Sequence, residues 1–207
     1  TENLLSSSLG KVIINDGRNY ALLTHNKYDI IIIDPPPPFN TAGSTVLHSK
    51  EYYQDLTKNL NSGGLVNQWI YAYSSRQDDI SMAIKTFIEI FPYSYAVQKK
   101  DSLGGIFMLG SLSPIDTKNL KFLLKSPIVY NDLQEFKDTF VSPNLEPLEI
   151  MGNRESLSKV LKDYPLITDT HPLTEYYLLR HRFTSAPTLT GIDLENFINL
   201  LKENYRL

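Results

Sequence analysis

Apolar and polar positions change period several times along the chain, and each change marks a boundary. Val12, Ile13 and Ile14 form a short apolar run that ends in Asn15, Asp16 and Gly17, which predicts a strand turning into a loop. A second run, Ile30 to Ile33, ends at Asp34 and opens onto four consecutive prolines, Pro35 to Pro38. Ser49 is placed to cap a helix that carries Tyr53, Leu56 and Leu60 on one face and is stopped by Ser62-Gly63-Gly64. Residues 64–73, GLVNQWIYAY, are β-branched and aromatic and read as a strand. Ile80, Ala83, Ile84, Phe87, Ile88 and Phe91 then recur at helical spacing up to Pro92. Residues 93–99 and 104–111 are two further strands whose short linker makes them an antiparallel hairpin.

Beyond Pro114 the period shortens into amphipathic helical pieces separated by Pro and Asn. Leu120, Leu123 and Leu124 form one stripe, Leu133, Phe136 and Phe140 a second, Leu157, Val160 and Leu161 a third, and Leu194, Phe197, Ile198 and Leu201 a fourth. The predicted architecture is α/β, with a sheet domain over residues 1–113 and a helical extension over 114–207. In open α/β sheets ligands bind outside the carboxyl ends of the strands, so Asp16 and Asp34 are expected at one rim, facing a crevice.

Composition narrows the function classes. The 207 residues carry a net charge of −3 with scattered lysines, so no basic face exists to make nucleic acid the main partner. Without cysteine there is no disulfide, thiolate metal site or cysteine nucleophile, and the four histidines lack metal-ligand spacing, so no metal is expected. All apolar runs fall well short of the ~20 residues that span a bilayer, and residues 1–20 show no signal-peptide pattern. A soluble, cytoplasmic protein is expected, with no membrane contact by this chain itself.

Taken in order, Asp16-Gly17-Arg18, the strand ending at Asp34, a proline-containing loop, Lys50-Glu51-Tyr52-Tyr53, the Gly63-Gly64 turn and a strand bearing Gln68 resemble the second half of a spermidine synthase. That family of polyamine aminopropyltransferases is a branch of the Rossmann-like methyltransferase fold. Gln68-Trp69 and the late run Thr168-Asp169-Thr170-His171-Pro172-Leu173-Thr174-Glu175-Tyr176 are similar to motifs of spermidine synthase-like proteins fused to membrane transporter segments. The resemblance covers roughly residues 10–112 and 166–180. It implies the C-terminal portion of a Rossmann-like sheet, mostly parallel with an antiparallel terminal hairpin.

It also implies roles. Asp16, with Gly17, matches the carboxylate that accepts the adenine amino hydrogen of S-adenosylmethionine or its decarboxylated form, a neutral donor that a carboxylate suits. Asp34 matches the catalytic aspartate that holds the attacking amine and helps deprotonate it. Gln68 lines up with a glutamine at the substrate rim; a backbone partner for it is an equal alternative. Tyr52, Tyr53 and Trp69 are read as packing, and an ion pair of Asp169 or Glu175 with Arg180 or Arg182 is expected to pin the late motif. Asp16 as a turn cap and Asp34 as a loop cap remain the structural alternatives.

Two departures qualify the polyamine reading. Where aminopropyltransferases carry a second aspartate, three residues after the first, this chain has Pro37, and Pro35 to Pro38 predict a stiff polyproline II segment. The Gly-rich turn and strand-end acid that cradle the donor in this fold would precede Lys11 and do not occur in the ten residues upstream. The chain is therefore expected to be the C-terminal part of a longer polypeptide, to pair with a missing N-terminal half, or to form a homo-oligomer that covers an open sheet edge. Three functions stay open: a transferase moving an aminopropyl or methyl group to a small-molecule amine acceptor, complete only with the missing half; a non-catalytic relative or half-domain acting through protein association; and an amino-group methyltransferase of the Asp-Pro-Pro-aromatic type, for which Phe39 arrives late.

Overall fold

The computed structural model describes residues 8, 10–35, 43–99, 104–116, 127, 148–175 and 188–205. Five strands form one mixed sheet: β1 (Tyr28–Ile33), β2 (Leu60–Tyr71), β3 (Tyr93–Lys99), β4 (Gly105–Ser111) and β5 (Leu148–Asn153), in the spatial order β1-β2-β4-β3-β5. β1 and β2 are parallel, and the other three pairings are antiparallel. The expected α/β class and the β3-β4 hairpin are therefore present, but the balance is not mostly parallel. The hairpin inserts β4 between β2 and β3, so from β2 outward each strand runs opposite to its neighbour.

Helices α2 (Lys50–Lys58) and α3 (Gln77–Ile90) follow the predicted periods, whereas α1 (Gly17–Leu23) stands where the sequence predicted only a loop after a strand. Ser49 caps α2 as read from sequence, its hydroxyl accepting from the Tyr52 N–H at 3.2 Å. The helix closes at Asn59, earlier than expected, and β2 begins at Leu60. Gly63 and Gly64 lie inside β2 rather than ending the helix. They absorb a register jump from Tyr28↔Leu60 to Ile30↔Leu65. Gly63 holds φ +77°, and a Cβ on Gly64 would stand 3.0 Å from the carbonyls of Asn61 and Tyr28, so the bulge selects glycine.

The parallel register pairs Ile31 with Val66 and Ile33 with Gln68 on the sheet face that α2 and α3 cover. Ile80, Ala83, Ile84, Phe87 and Ile88 of α3 are buried there, each isoleucine or phenylalanine side chain contributing about 1.5–3 kcal/mol. Tyr53 packs edge-on against the Phe87–Phe91 pair, with ring centroids 5.2 and 6.1 Å away. On the opposite face Ile30 and Ile32 are 60% and 71% exposed.

Two expectations fail in this frame. Residues 10–14 form no strand, and Ile14 is 99% exposed. A β-prone run becomes a strand only when a neighbour supplies its hydrogen bonds, and no described strand lies beside it. The segment after Pro114, read as helical throughout, contributes β5, which pairs with β3 through a bulge at Ala96/Val97. Six residues, from Leu148 after Pro147 to the capping-box residue Asn153, are too few for periodicity to reveal a strand. The third and fourth stripes do form helices, α4 (Arg154–Val160) and α5 (Gly191–Glu203), with Leu157, Leu194, Phe197 and Leu201 buried. The stripes at Leu120 to Leu124 and Leu133 to Phe140 lie outside the described residues, as do Pro36 to Phe39.

Candidate functional site

Asp34 follows the last residue of β1, and Asp16 precedes the first residue of α1, so two different backbone endings put carboxylates at one place. A cleft of about 850 Å³ runs between α1 and β1, and Asp16, Gly17, Tyr20, Tyr52, Asp34 and Pro35 line it. That volume suits a small-molecule ligand. Asp16 arrives there as a helix cap instead of the expected strand end. Its Oδ1 accepts from the Asn19 N–H at 2.8 Å, leaving Oδ2 for another donor. Gly17 opens the helix, and a Cβ at that position would meet nothing within 4 Å, so packing does not dictate glycine.

Gln68 is not brought to this cleft wall. It lies fully buried on the helix-covered face, its Nε2 3.4 Å from His48 Nε2 and 3.3 Å from the Trp69 carbonyl. His48 belongs to a 3₁₀ turn, Thr45–His48, that carries the chain from the proline-rich loop into α2. Burial pulls the His48 imidazole down to about 4, against a smaller opposing effect of the Ser44 carbonyl. Gln68 Oε1 has no hydrogen-bond partner among the described residues, an omission that costs about 1–3 kcal/mol.

Sequence reading assigned Tyr52 and Tyr53 alike to packing. Tyr53 packs in the core as expected, but Tyr52 also forms part of the cleft wall. Burial raises the Tyr52 phenol to about 12; Arg18 opposes that shift and Asp16 adds to it. Tyr20 and Tyr28 meet hydroxyl to hydroxyl at 2.6 Å along the same wall, a bond that lowers the Tyr20 phenol to about 8. No spacing rule would have found this pair, since it joins a helix to the start of a strand.

The late motif is pinned by a partner the sequence did not suggest. Asp169 pairs with Arg18, whereas Arg180 and Arg182 lie outside the described residues. Arg18 also donates to the Val46 carbonyl at 3.0 Å and to Ser49 Oγ at 3.2 Å. Among the described residues no group of three or more His, Asp or Glu side chains could hold a metal ion. None of the described helices is long and apolar enough to cross a membrane.

A mixed α/β sheet with a carboxylate at the end of a parallel strand, facing a cleft shared with a helix-capping carboxylate, is the arrangement in which open α/β folds bind their ligands. A family model described as the spermine/spermidine synthase domain matches residues 3–111, and the chain belongs to that family. It is 31% identical over 141 residues to a polyamine aminopropyltransferase of Methanocaldococcus jannaschii, covering 63% of this chain and 47% of that protein. To the enzyme of the same name from Thermococcus kodakarensis it is 29% identical over 139 residues, covering 64% and 47%. The chain thus spans about half the length of these relatives. In structure it is similar to a probable spermidine synthase from Corynebacterium glutamicum, with TM-score 0.54, 16% identity, and coverage of 77% of this chain and 54% of the other.

Proposed function

We propose that the chain is the acceptor-side part of a spermidine synthase-like transferase that moves an aminopropyl group from decarboxylated S-adenosylmethionine, or a methyl group from S-adenosylmethionine, to a small-molecule amine. The observation that carries this reading is the shared cleft of Asp16 and Asp34 in a chain of the spermine/spermidine synthase domain family. Asp16 accepts a hydrogen bond from the donor's adenine amino group beside Gly17, which offers no side chain to obstruct the base. Asp34 orients the acceptor amine and takes its proton.

The amine lone pair forms the new C–N bond while the C–S bond breaks, and its electrons return to sulfur, leaving a neutral thioether. Asp34 receives the proton released from nitrogen, an effect on the order of 10²–10⁴-fold in rate. Completion of the site by an N-terminal half, a division near residue 113 and a cytoplasmic setting belong to the same reading. Gln68, fully buried and absent from the cleft wall, takes no substrate role in this reading.

The test is Asp34→Asn in the complete natural protein, assayed for transfer to a panel of amines. Turnover should fall at least ~100-fold, with donor affinity within about twofold of wild type. An unchanged rate removes Asp34 from the chemistry. The non-catalytic alternative instead predicts no turnover in wild type and association through the β1 edge.

A further inference from the structure

The transferase reading leaves the late motif without a role, yet its contacts converge on one place. Lys50 N donates to the Ile167 carbonyl at 2.9 Å, Ile167 N to Thr86 Oγ1 at 2.9 Å, and Asp169 N to Glu51 Oε2 at 3.0 Å. The buried hydroxyl of Thr174 donates to Thr45 Oγ1 at 3.0 Å. The segment 167–174 is therefore a strap across the 3₁₀ turn and the first turn of α2, the part of the chain into which the loop after Asp34 runs.

Arg18 completes the strap from the opposite side. Two residues after Asp16, it reaches the Val46 carbonyl and the capping hydroxyl of Ser49 while its guanidinium pairs with Asp169. Val46 lines the cleft, and Tyr52, another lining residue, senses both Arg18 and Asp16. A cation thus stands directly behind the wall of a cleft, bonded to the lining residue Val46, and the proposed ligands of that cleft, a sulfonium and an amine, are themselves cationic or become so.

We propose that Arg18 and Asp169 form a charge-compensated positioning pair, in which Arg18 locks α1 to the start of α2 and Asp169 cancels the charge that this lock would otherwise present to a cationic ligand. The inference rests on the transferase reading for the identity of the ligand. The geometry supports it independently: guanidinium is the group that can bond a carbonyl, a hydroxyl and a carboxylate at once, and no neutral side chain offers that fork.

Binding to the complete natural protein discriminates compensation from scaffolding. Decarboxylated S-adenosylmethionine serves as the cationic probe and methylthioadenosine as the neutral one, each titrated calorimetrically at low and high salt. Asp169→Asn should weaken the cation about three- to tenfold at low salt and less at high salt, leaving the neutral probe within about twofold. Adding Arg18→Gln to Asp169→Asn should restore the cation's affinity. Equal weakening of both probes, or no restoration, overturns the inference. Should the double variant fail to fold, Asp169→Glu takes its place; it keeps the charge and should bind the cation as wild type does, and a loss there equally overturns it.

If wild type binds neither probe, the transferase reading fails, and the pair is judged by the Tyr52 titration followed with ¹³C-labelled tyrosine. Asp169→Asn should lower that titration by exposing Tyr52 to an uncompensated cation. An unmoved Tyr52 overturns the inference without reference to any ligand.

Discussion

Gln68 presents its amide nitrogen, 3.4 Å away, to a His48 Nε2 that carries no proton. The tautomer follows from the other side of the ring: Nδ1 stands 3.1 Å from the Ser44 carbonyl, which only accepts, so Nδ1 bears the hydrogen and Nε2 the lone pair. The amide of Gln68 must therefore turn its NH₂ toward His48 and the Trp69 carbonyl, which leaves Oε1 as the unpartnered end. One buried ring thereby fixes the polarity of a side chain on the neighbouring strand.

Stability should depend on pH through that ring. With the folded-state value near 4 and the ordinary value at 6.5, the unfolded chain binds more protons between those limits. The contribution is complete above about pH 6.5 and is lost as pH falls toward 4, amounting to about 3 kcal/mol. His48→Gln, which cannot titrate, should be less stable than wild type at pH 7 but show a flatter dependence below 6.5. Urea unfolding at pH 7 and 4.5 measures this, and parallel slopes for the two proteins would refute it.

Element types were legible wherever a period ran long enough. The stripe Ile80 to Phe91 and the β-branched run after Gly64 declared α3 and β2, and Ser49 announced its helix by capping chemistry. Strand pairing was not legible, because KVIIND carries the composition of a strand whether or not a neighbour exists to bond it. Asp34 could be placed at a cleft because it follows a strand, but Asp16 reaches the same cleft as the cap that begins a helix, not as the strand end its placement assumed. Arg18 and Asp169 could not be paired, since 151 residues separate them and no periodicity reports such a contact. The sequence of β5 gave too little pattern to compete with the helices around it.

Two glycines should answer oppositely to the same substitution. A Cβ on Gly110 would sit 2.6 Å from Phe91 Cγ and 2.7 Å from two ring carbons of Phe87, both rings fully buried and packed against Tyr53. Gly110→Ala should therefore cost about 1–3 kcal/mol or more, as overpacking does. Gly17→Ala enters open space at the first residue of a helix and should be neutral or stabilising by up to about 1 kcal/mol. Thermal denaturation of both variants checks the contrast. A stable Gly110→Ala would mean that the α3 rings can withdraw from β4, against their complete burial.

The outer edge of β1 makes the last prediction. Among the described residues β1 pairs only with β2, so its other edge offers backbone groups that no described strand pairs, and Ile30 and Ile32 project from the same strand at 60% and 71% exposure. A run of four isoleucines with a free edge is the pattern that recruits another strand, and lysine is the residue that edge strands use to prevent it. Ile32→Lys removes little buried surface, so its stability should stay within about 0.5 kcal/mol of wild type. Its self-association should nonetheless fall, by at least ~10-fold in dissociation constant if this edge is where copies meet. Sedimentation velocity across a concentration series gives the answer. Association that persists unchanged in Ile32→Lys would move the contact to another face, and with it the expectation that β1 is where a second polypeptide completes the sheet.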